Sequence, residues 1–229
     1  TWALPICQAP TFDVIAPGIA KHEEEIVLAP GADPKSDPCL ALRAAVAAAE
    51  FGLPIAPGTL QNLKSCPIDD RTWNDESRSL FLRLLASGPA LLQVWEEIDF
   101  VDIPGRLIPE WLAIRNRPSA SAAHRYTIDR HSVEVVTRLG RETPRGNRYD
   151  DRHYQALLLA GILHDVGKRP GVADHAAEGA RHASMVLKRM GFDRDIIWWV
   201  TLLVREHLTL SEFAAGQNPN DPNVGDELE

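Results

Sequence analysis

Seven of the eight histidines fall between His124 and His207, in a stretch whose apolar residues recur at helical spacing. Four amphipathic segments carry them: Ile128 to Leu139, Arg152 to Asp165, His175 to Met190 and Arg194 to Leu208. Asp174 is the expected N-cap of the third, and Gly191 its C′ residue. His131 shares a stripe with Ile128, Val135 and Leu139, so it points toward whatever that helix packs on. His207 follows Val200, Leu203 and Val204 on the expected buried side, and the run Leu157 to Leu163 delivers the pair His164-Asp165 near a helix end. Imidazoles and a carboxylate are thus sent inward from several helices. One histidine on an apolar face is usually a hydrogen-bonded core residue. A buried carboxylate is different, because it loses several kcal/mol unless a cation or strong donors meet it. A divalent ion held by His131, His164 and Asp165 answers that need. Imidazole with carboxylate suits Mn, Fe, Co or Zn, and further oxygen ligands favour Mg or Mn.

The rest of the chain is read as support for this bundle. Two β-branched stretches, Phe12 to Val14 and Glu25 to Leu28, flank Pro17-Gly18 and are expected to pair as a small hairpin. Cys39 to Phe51, Asn74 through Ser87, and Ala90 to about Ile98 read as helices. Between Pro104 and Pro118 come turn, short helix and turn, with Leu107, Ile108, Trp111 and Leu112 as buried contacts. The expected class is mainly α: a helical bundle preceded by a helical linker region with a possible small N-terminal β-hairpin. A boundary near Arg117 divides the chain into 1–117, 118–215 and a loop-like tail, 216–229.

With 229 residues, 45% hydrophobic and 24% charged, the chain is neither disordered nor fibrous. Its apolar runs are too short to span a bilayer, no signal peptide opens it, and we expect a cytoplasmic protein with no membrane contact. The net charge of −8 speaks against nucleic-acid partners. Cys7, Cys39 and Cys66 form no metal pattern and read as buried thiols. A chain that starts at Thr1 suggests a processed chain or a piece of something longer.

Longer strings narrow the reading. Ile108-Pro109-Glu110, Arg115-Asn116-Arg117-Pro118, His124-Arg125-Tyr126-Thr127-Ile128-Asp129-Arg130-His131, Leu163-His164-Asp165-Val166-Gly167-Lys168, Asp174-His175 and Val204-Arg205-Glu206-His207-Leu208 follow in that order. A histidine, then His-Asp some thirty residues on, then later histidines resembles the HD superfamily of metal-dependent phosphohydrolases. The full set is similar to the HD region of the bifunctional PII uridylyltransferase/uridylyl-removing enzymes. The likeness covers residues 105–210, and more loosely the helices before them. That family has a nucleotidyltransferase domain before this region and two ACT domains after it. Neither pattern is visible here, so the chain is expected to be the central piece.

The resemblance implies metal binding by His131, His164 and Asp165, with His175 and His207 holding a second metal or touching the phosphate. Lys168 becomes a cation near the scissile phosphate, acting with Asp165 in catalysis; the alternative is a solvated helix-end lysine. Arg115, Arg117, Arg125 and Arg130, with His124, form a local positive excess that suits phosphate oxygens, or else a surface salt-bridge cluster. His153 and His182 lie outside the matched strings and read as ordinary structural histidines. The implied reaction removes a uridylyl or adenylyl group from a tyrosine of a PII nitrogen-signalling protein, with the tyrosine phenolate as leaving group. One departure stands out. The family closes its site with an aspartate before Asp-Pro, where this chain has Asn218, then Asp221-Pro222. A neutral carbonyl there weakens the metal site unless Asp221 substitutes. Two alternatives stay open: a free-nucleotide phosphohydrolase, since the metal motif alone selects no substrate, and a non-catalytic regulatory or scaffold module, which Asn218 supports.

Overall fold

A computed structural model describes residues 11–68, 73–119, 126–142 and 152–209. The first layer is a meander, β1 (Asp13–Ala16), β2 (Ile19–His22) and β3 (Glu25–Leu28), antiparallel in that order. The expected hairpin is therefore corrected: Glu25 to Leu28 pairs with Ile19–His22, which in turn pairs with β1. Pro17-Gly18 leaves room only for a tight turn, so the chain must return as a strand at once. Ile19 and Ala20 of that middle strand are fully buried. Phe12 precedes β1 and is exposed.

The helices follow their local chemistry. Helix α1 (Leu40–Phe51) buries its alanine-rich face, which lets it lie close against the sheet. A short α2 (Pro57–Leu63), which has too few turns to show periodicity, follows a stretch that hydrogen-bonds β3 through Ile26 N–H to the Pro54 carbonyl, 2.9 Å. Helix α3 (Asp75–Leu85) starts where the Asn74 side chain accepts from Ser77 N–H. Helices α4 (Pro89–Phe100) and α5 (Ile103–Leu107) lead into a 3-10 turn, Pro109–Ala113. Trp111 is buried there, edge to face with Trp95 at 5.3 Å. Leu112 is a correction, being 54% exposed. With Trp111 turned into the core, its neighbour on so tight a turn faces outward.

The expected four-helix unit is present as α6 (Ile128–Glu142), α7 (Arg152–Leu163), α8 (His175–Arg189) and α9 (Arg194–Arg205). Asp174 caps α8 by accepting from Ala177 N–H at 2.8 Å, and Gly191 takes the left-handed conformation just beyond it, φ 75°. Helix α7 lies at the centre, touching α3, α6, α8 and α9. One hydrophobic cluster runs without interruption from Ile19 to Val204, across the expected boundary at Arg117. Polar clamps cross it too. Arg189 grips Glu110 with two hydrogen bonds of 2.7 and 2.6 Å, and Arg78 donates to the Met190 carbonyl. Cys39 and Cys66 are buried free thiols; Cys7 lies outside the described residues. No described helix is long and apolar enough to cross a membrane.

Candidate metal centre

The apolar face of α7, with Leu158, Leu159, Ile162 and Leu163 buried, anchors the helix so that the chain turns inward at His164-Asp165. The turn is pressed onto α8 through Gly167. A β-carbon there would lie 2.3 Å from both Gly179 N and the His175 carbonyl oxygen. This backbone-to-backbone approach, open only to glycine, sets the first turn of α8 beside Asp165.

Two triads result. Ligand atoms of His131, His164 and Asp165 lie within 4.8 Å of one another, and so do those of Asp165, His175 and His207. Asp165 belongs to both and is 1% exposed. The imidazoles are oriented from behind. His164 Nδ1 is 2.9 Å from the Gly161 carbonyl, and His207 Nδ1 is 2.6 Å from that of Val204. A carbonyl only accepts, so each Nδ1 carries a proton and each Nε2 is the ring atom turned toward the carboxylate. Those ε-nitrogens stand 3.4 and 3.6 Å from the Asp165 carboxylate. Asp165 Oδ1, His175 Nε2 and His207 Nε2 are buried with no hydrogen-bond partner. Three orphaned lone-pair atoms of nitrogen and oxygen are the donor set a borderline or hard dication takes.

The electrostatics agree. Burial alone would raise the Asp165 carboxyl, but His164 and Lys168 outweigh it and hold it well below the usual carboxylate range. Burial pushes the His175 and His207 imidazoles down, and Lys168 adds to the effect on His175. The carboxylate is thus charged and those two imidazoles are neutral near pH 7, the forms that ligate metals.

A cavity of about 850 Å³ opens above this floor between α6, α7 and α9. Its walls are apolar, from Val135, Leu139, Leu157, Leu202 and Leu203. Lys168 reaches it, its Nζ donating to Asp165 Oδ2 at 2.8 Å. Glu206, which the sequence reading passed over, also lines it; adjacency to His207 was the available signal. Leu203, expected on the buried side, is instead 37% exposed at the mouth of this cavity.

Other expected residues lie apart. Arg115 is tied to Asp99 at 3.0 Å and Asp102 at 3.3 Å, and Arg130 to Glu96 and Glu134. Arg117 donates to the Ala113 carbonyl. None of the three lines the cavity; Arg115 and Arg130 stand in the ion pairs that were the alternative reading of this cluster. Glu134 is one helical turn from Arg130, whereas Asp99, Asp102 and Glu96 lie 13 to 34 residues from the arginines they hold and are brought there by packing. His182 sits beside Glu178, 2.9 Å away, and the His153 ring stacks edge-on against Trp199; both stand outside the triads. His124, Arg125, Asn218 and Asp221 lie outside the described residues.

Residues 128–224 match the HD domain family. Over 91% of its length the chain is 39% identical to a bifunctional uridylyltransferase/uridylyl-removing enzyme of Streptomyces coelicolor. Enzymes of the same description from Mycobacterium tuberculosis and Corynebacterium glutamicum are 38% identical over 90% and 33% over 84% of the chain. The chain spans about a quarter of the length of these relatives, 24 to 27%.

Proposed function

We propose, since this chain carries an HD domain and is homologous to the HD-containing region of bifunctional uridylyltransferase/uridylyl-removing enzymes, that it is a metal-dependent phosphodiester hydrolase. Its substrate would be a nucleotidyl group, uridylyl or adenylyl, on a tyrosine of a PII signalling protein. The observation that carries the reading is the meeting of orphaned Asp165 Oδ1, His175 Nε2 and His207 Nε2 beneath a cavity wide enough for a nucleotide. In this proposal residues 118–215 form the hydrolase unit, in a cytoplasmic enzyme, and 1–117 an inter-domain segment.

His131, His164 and Asp165 would hold one ion, with His175 and His207 completing a second position around the shared carboxylate. Mn or Mg fits best, with Fe, Co or Zn as substitutes. A dication there would supply positive charge at the phosphate and lower the pKa of an attacking water. The chain's own residues do the rest. Gly161 and Val204 carbonyls fix the His164 and His207 tautomers. Lys168 orients Asp165 through Oδ2 and places a cation on the cavity floor, where it faces phosphate oxygens. A phenol of pKa about 10 leaves readily, so charge stabilisation matters more here than a strong general acid. Leu139, Leu157 and Leu203 offer apolar surface to the tyrosine ring or the base.

The test is hydrolysis of uridylylated and adenylylated PII by the purified chain with Mn or Mg, beside elemental analysis and a chelated control. Nucleotide release that stops on chelation is the expected result. Turnover of free nucleotides alone would point to a small-molecule phosphohydrolase, and a metal-free, inert protein to a regulatory module.

A further inference from the structure

Helix α9 is apolar over more of its surface than its packing uses. Ile196, Val200 and Val204 are buried where it packs on α7 and α8. Trp198, Trp199, Leu202 and Leu203 are 58%, 37%, 39% and 37% exposed. Trp198 with Leu202, and Trp199 with Leu203, stand four residues apart, so each pair shares a face. On α7 the matching row is His153, Leu157 and Ala160. The His153 ring lies 5.4 Å from that of Trp199, and Leu157 is 39% exposed. The two tryptophan rings meet edge to face at 4.7 Å. Tryptophan is largely buried in most soluble proteins, so two neighbouring ones on open helix surface, continued by three exposed leucines, mark a face that takes a partner.

This patch runs into the cavity above the metal centre. Leu157, Leu202 and Leu203 belong to both, whereas Trp198 and Trp199 lie outside the cavity lining. From Trp199 to His207 the chain advances about 12 Å at the helical rise per residue. The tryptophans are therefore too far out to touch a phosphate on the cavity floor and stand where the carrier of that phosphate would rest. Their position opposes a permanent cover, because a second copy or a lipid surface seated on the patch would lie across the cavity mouth. The charges beside the patch are mixed, with Arg194 and Asp195 at one end of α9 and Arg205 and Glu206 at the other, and the chain carries −8 overall. An anionic membrane is recognised by a basic face, whereas these charges balance.

Resting on the reading of this chain as a hydrolase of a nucleotidylated tyrosine, we infer that the Trp198–Trp199 face of α9, with Leu157 of α7, docks the protein that carries the tyrosine. The tyrosyl phosphodiester enters the cavity, and apolar surface beside it on the carrier covers the two indoles and Leu202. Tryptophan is enriched among the side chains that carry interface energy, since it offers a large apolar area with few torsions to freeze. A free nucleotide has no carrier; it would occupy the cavity and leave the tryptophans uncovered.

The experiment measures binding apart from turnover. The full chain, treated with chelator, is titrated with uridylylated and with adenylylated PII, as the parent, Trp198→Ser and Trp199→Ser. Val14→Ser, which removes an apolar side chain 61% exposed on β1, is the control. The parent should bind at least one modified PII, each tryptophan variant about tenfold or more weakly, and the control as the parent does. With metal restored, Trp198→Ser should raise KM for the modified protein about tenfold with kcat little changed. It should cleave thymidine 5′-(4-nitrophenyl phosphate), a small diester with a phenolic leaving group, at the parent's rate. Equal affinity in the parent and both tryptophan variants, or no binding of either PII form by the parent, overturns the inference. Loss of diester cleavage in step with loss of binding does so too, because the tryptophan would then act through the cavity. A dimer of the parent that Trp198→Ser dissolves would assign the face to a second copy, and capture by phosphatidylglycerol vesicles lost in that variant would assign it to a membrane; either overturns it. Failure of the hydrolase reading looks different: diester and modified PII both stay intact while binding still depends on the tryptophans, which supports the docking face and refutes the chemistry.

Discussion

Lys168 Nζ donates to Asp165 Oδ2 at 2.8 Å, while the other oxygen of that carboxylate, Oδ1, stands 3.6 Å from His207 Nε2 with no hydrogen-bond partner. One side of the carboxylate is thus satisfied by the chain and the other is held ready. In the proposed hydrolase the lysine then has two duties, fixing the carboxylate and supplying a positive charge beside the phosphate.

Asp165→Ala removes the group common to both triads. Metal retention should fall by about 100-fold or more, with helical circular dichroism largely unchanged. His153→Ala should retain metal as the parent does, since its ring packs on Trp199 away from the triads. Metal analysis after gel filtration reads both, and equal loss in the two variants would refute the ligand assignment.

Lys168→Met separates the duties of the lysine. If its charge acts on the phosphate, kcat should drop on the order of 100-fold, as for loss of one charge-stabilising donor. Metal content should change far less. Unaltered kcat would leave Lys168 as a structural partner of Asp165 only.

Gly167→Ala drives a β-carbon to within 2.3 Å of Gly179 N and the His175 carbonyl oxygen. Backbone must move, so a loss of about 2 to 4 kcal/mol is expected in urea denaturation, together with weakened metal binding as His175 shifts. Gly58→Ala in α2, where a β-carbon meets nothing within 4 Å, is the control. It should be neutral or stabilising by up to ~1 kcal/mol.

The Glu110–Arg189 clamp predicts a pH dependence of stability. Burial raises the Glu110 carboxyl, but the Arg189 hydrogen bonds more than offset it, leaving the folded value below the ordinary 4.5. A depressed folded value means the unfolded state takes up the proton first. The clamp's contribution is therefore complete above about pH 4.5 and is lost as pH falls through the lower folded value. Glu110→Gln should cost on the order of 1.5 to 3 kcal/mol at pH 7. Urea midpoints of parent and variant should converge as the pH is taken toward 3, and a constant gap would contradict the account.

Much of this was readable from local pattern. Helices α1, α3, α4 and α6 to α9 carry apolar residues at their own period with a cap or breaker at the ends, which are properties of neighbouring residues. The His164-Asp165 pair and the inward stripe of His131 were legible for the same reason. Strand β2 was not, because Ile-Ala-Lys-His has no strong alternation, and it forms between two tight turns with a strand on either side. Leu112 and Leu203 were misjudged because apolar residues in a tight turn or on a cavity wall have the same identity as those in a core.

The sequence by itself determined the class of the fold, the position of the helices and the inventory of imidazoles and carboxylates directed inward. Only the tertiary structure decided which of those groups meet. Arg130, a candidate for phosphate or surface, finds Glu96 at 34 residues' separation, and Arg189 finds Glu110 at 79, so packing decides what each guanidinium meets. The glycine contact of Gly167 with Gly179 likewise brings His175 to Asp165. Such pairings depend on distances set by how helices stack, a property no local window of residues contains.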